Sequence, residues 1–365
     1  MAEVKRTYYD SGELESEWFE INGIKEGEWK KYWGNTNGKL HSICNYNNGK
    51  QEGESKKYHY ECGQLMEICY YNNGKREGEC KEYYTNGECW SIGEGFNIER
   101  GGHKAYYQTG VLRVVNYVND MKQGECKIYF PNGQLYKICN YNNDMIEGEQ
   151  KTYKENGQLE EVSNYNNGKK DGVYKYYYEN GQLKSIYNFN NDKIEGECKQ
   201  YYENGQLEEI YNFVNGKKEG EYKSYYENGQ LRNIYNYVNN NRDGEFKKYY
   251  ENGQLSGICN YNNGVLHGEY KTFYENGQLS EIYNYVNGVL YGECKTFYEN
   301  GQLRFICNYN NGNPEGKFKT FYENGQLLTI CNYNYGKKEG EQKIYDKNGD
   351  LNKVSYYVNG VLNDK

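Results

Sequence analysis

Residues 201–207 read Tyr-Tyr-Glu-Asn-Gly-Gln-Leu, and nearly the same letters return at 225–231, 249–255, 273–279, 297–303 and 321–327. The glycine of this phrase falls at Gly133, Gly157, Gly181 and then every 24 residues to Gly349. Looser copies lie at Gly12, Gly38, Gly63, Gly87 and Gly110. A second glycine, mostly in Gly-Glu, follows in most copies, as at Gly124, Gly268, Gly292 and Gly340. A fixed period of this length marks a solenoid or an extended array rather than a globule.

Asn-Gly between runs of Tyr, Ile and Val is a hairpin signal, because both residues tolerate the positive φ of a type I′ turn. A two-residue turn at Asn276-Gly277 predicts Glu275 opposite Gln278, Tyr274 opposite Leu279 and Tyr270 opposite Tyr283. One face then carries Tyr270, Tyr274, Leu279, Tyr283 and Tyr285. The other carries Glu269, Lys271, Phe273, Glu275, Ile282 and Asn284.

The repeats test this register internally. Positions equivalent to Tyr270 and Tyr283 read Cys126 with Cys139, Gln150 with Ser163, Tyr174 with Tyr187 and Tyr222 with Tyr235. Further on they read Phe246 with Cys259, Cys294 with Cys307, Phe318 with Cys331 and Gln342 with Ser355. Gln pairs with Ser twice and never with an aromatic, as opposed cross-strand side chains should. At the second turn, Asn287-Gly288, a two-residue loop would shear the sheet by two residues per unit. A longer loop or a bulge at Gly292 cancels that offset, and the array requires cancellation.

The expected fold is therefore all-β: an elongated, single-layer antiparallel sheet of about 15 tandem hairpins with a 24-residue period. Residues 1–365 form one continuous array. Within it, 1–120 is less regular, 121–345 is regular, and 346–365 is a capping half-unit. Stability comes from stacking between neighbouring repeats.

Composition narrows the function. The formal charge is −8, which argues against nucleic acid, since phosphate binding needs a basic patch. No apolar run is long enough for a transmembrane helix, and the N-terminus lacks a secretory signal. The expectation is a cytoplasmic protein whose 12 cysteines stay reduced and act as small apolar fillers. Cys126/Cys139 and Cys294/Cys307 should be neighbours, although a disulfide makes strict geometric demands. His41, His59, His103 and His267 lie in different repeats without metal spacing, so no metal and no cofactor is expected. Carboxylates such as Glu269 and Glu275 alternate with Lys271 along every repeat, which describes a solvated face rather than one catalytic cleft.

The phrase E-x-K-x-Y-Y-E-N-G-Q-L-x-x-I-x-N-Y-x-N-G-x-x-x-G-E resembles MORN repeats (membrane occupation and recognition nexus) along essentially the whole chain. It is closest to the variant repeats of the YwqK-family antitoxin type. The resemblance implies serial hairpins and a non-enzymatic role in scaffolding, dimerisation or phospholipid contact. It also implies a bacterial or giant-virus source, in which case the protein would act in the viral particle or the host cytoplasm. The acidic charge argues against a membrane partner.

Two departures from regularity remain. Trp18, Trp29, Trp33 and Trp90 all sit in the first quarter, and residues 88–115 are the most degenerate segment. Partner surfaces are enriched in Trp and Tyr. The candidate partner-binding residues are thus the four tryptophans with Tyr174, Tyr187, Tyr222, Tyr235, Tyr270 and Tyr283. They suit a scaffold or adaptor contacting a protein partner or a second copy, as in a homodimer. Alternatives are an antitoxin that sequesters a toxin, and a lipid- or carbohydrate-binding module.

Overall fold

The computed structural model describes residues 1–60, 63–83 and 111–363. Every regular element among them is a β-strand. The chain falls into two compact units, one of residues 1–181 with 189–192, the other of residues 182–188 with 193–365. Each unit is an open antiparallel sheet in which successive strands pair as hairpins and each hairpin pairs with the next.

One repeat of the second unit shows why the sequence folds this way. Strand Gly268–Phe273 pairs with Leu279–Val286, and Tyr270 faces Tyr283 as the letters require. At the far turn, Asn287 (φ 50°) and Gly288 (φ 77°) both take the left-handed conformation, and Val286 faces Val289. This is the type I′ geometry expected of Asn-Gly. Three residues after Val289, Gly292 (φ 80°) forms a bulge, after which Ile282 faces Lys295. The bulge absorbs the two-residue offset, so each repeat begins in the register of the last.

The turn inside the repeated phrase is different, and here the sequence expectation needs correction. Only Gly277 of the Asn276-Gly277 pair has positive φ (81°). Gly277 donates to the Tyr274 carbonyl (2.9 Å) and Tyr274 to the Gln278 carbonyl (2.8 Å), closing a five-residue loop. Phe273, not Tyr274, therefore faces Leu279, and the ladder slips by one residue beside it before Thr272 meets Glu281. Leu279 consequently shares the face of Phe273 and Ile282. Tyr274 leaves the ladder altogether. The slip explains how the body register held while the mouth of the hairpin did not.

Tyr274 instead reaches into the next repeat, where its hydroxyl donates to the Phe297 carbonyl (2.7 Å). Asn276 donates to the Glu299 carbonyl (3.1 Å) and accepts from the Gln278 amide (2.9 Å). The tyrosine staple recurs at Tyr202, Tyr226, Tyr250, Tyr298 and Tyr322, each to a carbonyl 23 residues on. The repeated phrase is thus a turn and a tether in one.

The ladder positions supply the interior. Cys126 faces Cys139, Gln150 faces Ser163, Tyr222 faces Tyr235, and Phe246 faces Cys259. Cys294 faces Cys307, Phe318 faces Cys331, and Gln342 faces Ser355. Tyr174 belongs to the first unit and Tyr187 to the second. Small thiols are the most completely buried side chains, Cys198 and Cys294 at 0% exposure, because flanking rings close over them. Tyr222 stacks on Tyr235 with centroids 4.6 Å apart.

Two features of the first unit modify the sequence reading. Strand Gly78–Tyr83 pairs directly with Val111–Val118, so residues 84–110 connect the two strands of one hairpin. Residues 88–110 of the degenerate segment, Trp90 included, lie outside the described residues, while 111–115 belong to a regular strand. The cysteines do not all remain thiols. Cys69 and Cys80, on neighbouring strands of successive repeats with Cα atoms 4.3 Å apart, form a disulfide. Their closeness across an inter-repeat step, which the hairpin register alone did not address, makes the bridge possible.

Candidate functional site

The first hairpins hold the tryptophans. Trp18, in strand Leu14–Ile21, lies directly opposite Trp29, in strand Ile24–Tyr32, and Trp29 faces Cys44 on its other side. Both tryptophans therefore occupy ladder positions. The Lys25 ammonium lies 4.8 Å from the Trp18 ring, 5.8 Å from the Trp29 ring and 5.3 Å from the Tyr46 ring. A cation ringed by aromatic faces is held by their quadrupoles. Lys218 and Arg242 repeat the arrangement over tyrosines.

Trp33 is elsewhere. It takes the staple position of a turn, with its indole nitrogen donating to the Tyr58 carbonyl (3.3 Å) and its ring edge-on to His41 (4.2 Å) and Tyr60 (5.3 Å). The structure thus brings Trp18 and Trp29 together and leaves Trp33 to a separate task. Among the tyrosines, Tyr235 is buried at 6% exposure, while Tyr222, Tyr270 and Tyr283 are half-buried in ladder stacking. Burial raises the Tyr270 hydroxyl above its ordinary range and pushes Tyr283 up to about 12.

The opposite face of the first hairpin holds what the sequence reading missed. In the regular repeats one outward-facing pair is Glu with Asn, as in Glu269 with Asn284 and Glu293 with Asn308. In the first hairpin that pair is Val4 with Phe19, exposed at 51% and 45%. Ile21 and Ile24, also exposed, flank the adjoining turn. The signal was present in the letters: Phe19 stands where the regular repeats carry Asn. Large apolar side chains therefore stand on both faces of the first three strands, Trp18 and Trp29 on one and Val4 and Phe19 on the other.

Beside Phe19 runs a cleft of about 400 Å³, lined by Arg6, Glu17, Glu28 and Lys30 among others. Tyr32 donates to the Glu17 carboxylate (2.9 Å) and Arg6 lies 3.3 Å from it. These bonds, Tyr32 first, hold the Glu17 carboxyl below the usual carboxylate range. The charges are mixed, so the cleft favours no single ion.

Of the carboxylates weighed for catalysis, Glu269 is engaged in structure. Glu269 pairs with Lys271, and the same Glu/Lys pair recurs at Glu245/Lys247 and Glu293/Lys295. Glu195, Glu219 and Glu339 each accept the backbone N–H of the asparagine that opens a type I′ turn 20 residues on. Among the described residues no cluster of His, Cys, Asp or Glu could hold a metal ion. No helix of the described residues is long and apolar enough to cross a membrane.

Fold and surface together define a tandem β-hairpin repeat protein in which recurrent Tyr, Asn and Glu side chains join one repeat to the next. The family is explicit. The MORN repeat variant matches residues 76–94, 122–143, 146–167, 170–191, 194–215, 218–239, 242–263, 266–287, 290–311, 314–335 and 338–359, and the chain belongs to this family. No curated protein sequence matches the chain. Among solved structures, a chain of the TcdB2-TccC3-Cdc42 structure shares 13% identity, with 98% of this chain and 22% of that chain covered and a TM-score of 0.17. ASR alternansucrase in complex with isomaltononaose shares 17%, with 60% of this chain and 17% of that one covered, at 0.18. A porin-like protein from Bacteroides uniformis shares 10%, with 69% and 88% covered, at 0.12. The chain spans about a fifth of the first of these (22%), and likenesses this faint leave the repeat family as the finding.

Proposed function

We propose that this protein is a non-enzymatic, cytoplasmic scaffold or adaptor that binds a protein partner, or a second copy of itself, through its N-terminal hairpins. One observation carries the reading: the Val4/Phe19 pair puts two large apolar side chains where regular repeats show Glu and Asn. Exposed aromatic and aliphatic anchors in a polar surround are what partner surfaces supply. The stacked ladder tyrosines Tyr174, Tyr187, Tyr222, Tyr235, Tyr270 and Tyr283 serve in this reading as the rigid frame behind that surface. The Trp18/Trp29 pair would stiffen the hairpin or extend the contact to its other face.

The test uses the full chain. Phe19→Asn with Val4→Glu restores the regular pair and should leave the circular dichroism spectrum unchanged. It should weaken self-association in light scattering, or capture of the native partner, by about tenfold or more, the loss of one hot spot. Unchanged association would reject the site. A stable one-to-one complex with a co-expressed toxin would favour an antitoxin instead. Binding to liposomes or glycans that survives both substitutions would favour a lipid- or carbohydrate-binding module.

A further inference from the structure

Five consecutive ladder positions of the first unit are Cys69, Cys80, Val115, Cys126 and Cys139. Val115 faces Cys80 on one side and Cys126 on the other, and Cys126 faces Cys139. All five are at most 3% exposed and form one cluster. The first two thiols are already joined. The last two are not.

We propose that Cys126 and Cys139 are a peroxide-reactive dithiol that closes into a second cross-strand disulfide, making this stretch of the ladder a site of redox modification. The backbone is already in place. Residues directly opposed in an antiparallel ladder have Cα atoms about 4.5–5.5 Å apart, inside the span of about 4.4–6.8 Å that disulfides occupy. Val115 separates this pair from the existing bridge, so the two couples do not share a partner.

The oxidant is a peroxide, and the chemistry balances. The Cys139 thiolate attacks one peroxide oxygen, the O–O bond breaks, and the departing hydroxide takes a proton to leave as water. The resulting sulfenic acid is then attacked by the Cys126 sulfur, which loses its proton as a second water departs. Two thiols and one peroxide give one disulfide and two waters.

The protein favours the first step at Cys139. Beside the opposed Cys126 sulfur, Cys139 is held below the ordinary thiol range although burial pushes it the other way, and Cys126 is held above it. Lys137 and Lys122 favour the thiolate further. The cover over the pair is made of side chains: Tyr141 packs on the cluster, and the Lys122 ammonium lies 5.1 Å from its ring. A lysine rotamer change is fast, and peroxide is small.

The second opposed pair, Cys294 and Cys307, supplies an internal control. Leu290 stands there in place of Lys122. Burial raises the Cys294 thiol and pushes Cys307 up to about 11. Both should stay protonated and slow to react.

The experiment treats the full-length chain with hydrogen peroxide, quenches it, blocks free thiols, and maps the linked peptides by mass spectrometry. A Cys126–Cys139 crosslink should form about tenfold faster than a Cys294–Cys307 crosslink, since reactivity follows the thiolate fraction. Cys126→Ser should leave Cys139 as a sulfenic acid that dimedone traps. Serine at this position is compatible with the fold, as Ser55 opposite Cys69 shows. Equal rates for the two pairs, or Cys139 oxidised to sulfinic acid in the unmodified chain without a crosslink, would overturn the proposal.

Discussion

The first hairpins and the repeats of the second unit share one backbone plan and differ in what fills it. In both, a turn side chain tethers to a carbonyl of the following repeat: Tyr9 to Tyr32 at 2.7 Å, as Tyr226 to Tyr249 at 2.8 Å. In both, a cation lies over ladder aromatics. The rungs differ. Among the described residues strand Ala2–Tyr8 pairs on one side only and is exposed along its length, while each interior rung of the second unit is covered from both sides. A repeat array is stabilised by nearest neighbours, so a strand paired on one side has less support than one paired on both. The side chains there are free to serve something other than stacking. That freedom is where Val4 and Phe19 depart from the pattern.

The contrast can be broken most sharply at an interior rung. Tyr235→Ala removes a buried ring that stacks on Tyr222, and should cost about 3 kcal/mol. Hydrogen exchange in strands Leu231–Val238 and Asn241–Tyr249 would report it. The same change at half-buried Trp18 should cost about 1–2 kcal/mol, and an equal loss at both would end the distinction between end and interior.

Next comes the bulge. Gly292→Ala forces a side chain into a φ of 80° and should destabilise its repeat by about 1–2 kcal/mol, although nothing within 4 Å would touch the added carbon. A neutral outcome would mean that the bulge does not set the register. Tyr274→Phe deletes one tether and should cost about 1 kcal/mol, read as faster exchange in strand Gly292–Phe297.

The smallest effect is electrostatic. The Glu17 carboxyl is lowered in the folded state, so its contribution is present above the ordinary carboxylate pKa. It is lost as pH falls through the lowered value. Acid titration of stability should flatten slightly in Glu17→Gln between those two points. Exposure of the pair keeps the effect modest.

Much of the fold was legible because a repeated sequence compares itself. Gln150/Ser163 and Gln342/Ser355 changed in step, which fixed the body register. The mouth of the hairpin was not legible, because Asn-Gly fits both a two-residue turn and the third and fourth places of a five-residue loop. Hydrogen bonds from Tyr274 and Gly277, not the letters, choose between them. Rarity singled out Trp18, Trp29 and Trp33 as candidates alike; the structure sets Trp18 opposite Trp29 and gives the Trp33 ring to a tether. Phe19 is legible only when the repeats are aligned, where it takes the place that Asn284 holds in a regular repeat.

The sequence by itself determined that the chain is a hairpin array with a 24-residue period and which side chains oppose each other in the body of each hairpin, because side-chain alternation is local. The tertiary structure alone decided what lies between repeats: the Tyr274 tether, the Cys69–Cys80 bridge and the exposure of Val4 beside Phe19. Those depend on which strands become neighbours and which stay at an edge, and contacts of that kind are set by packing across repeats rather than by any one turn.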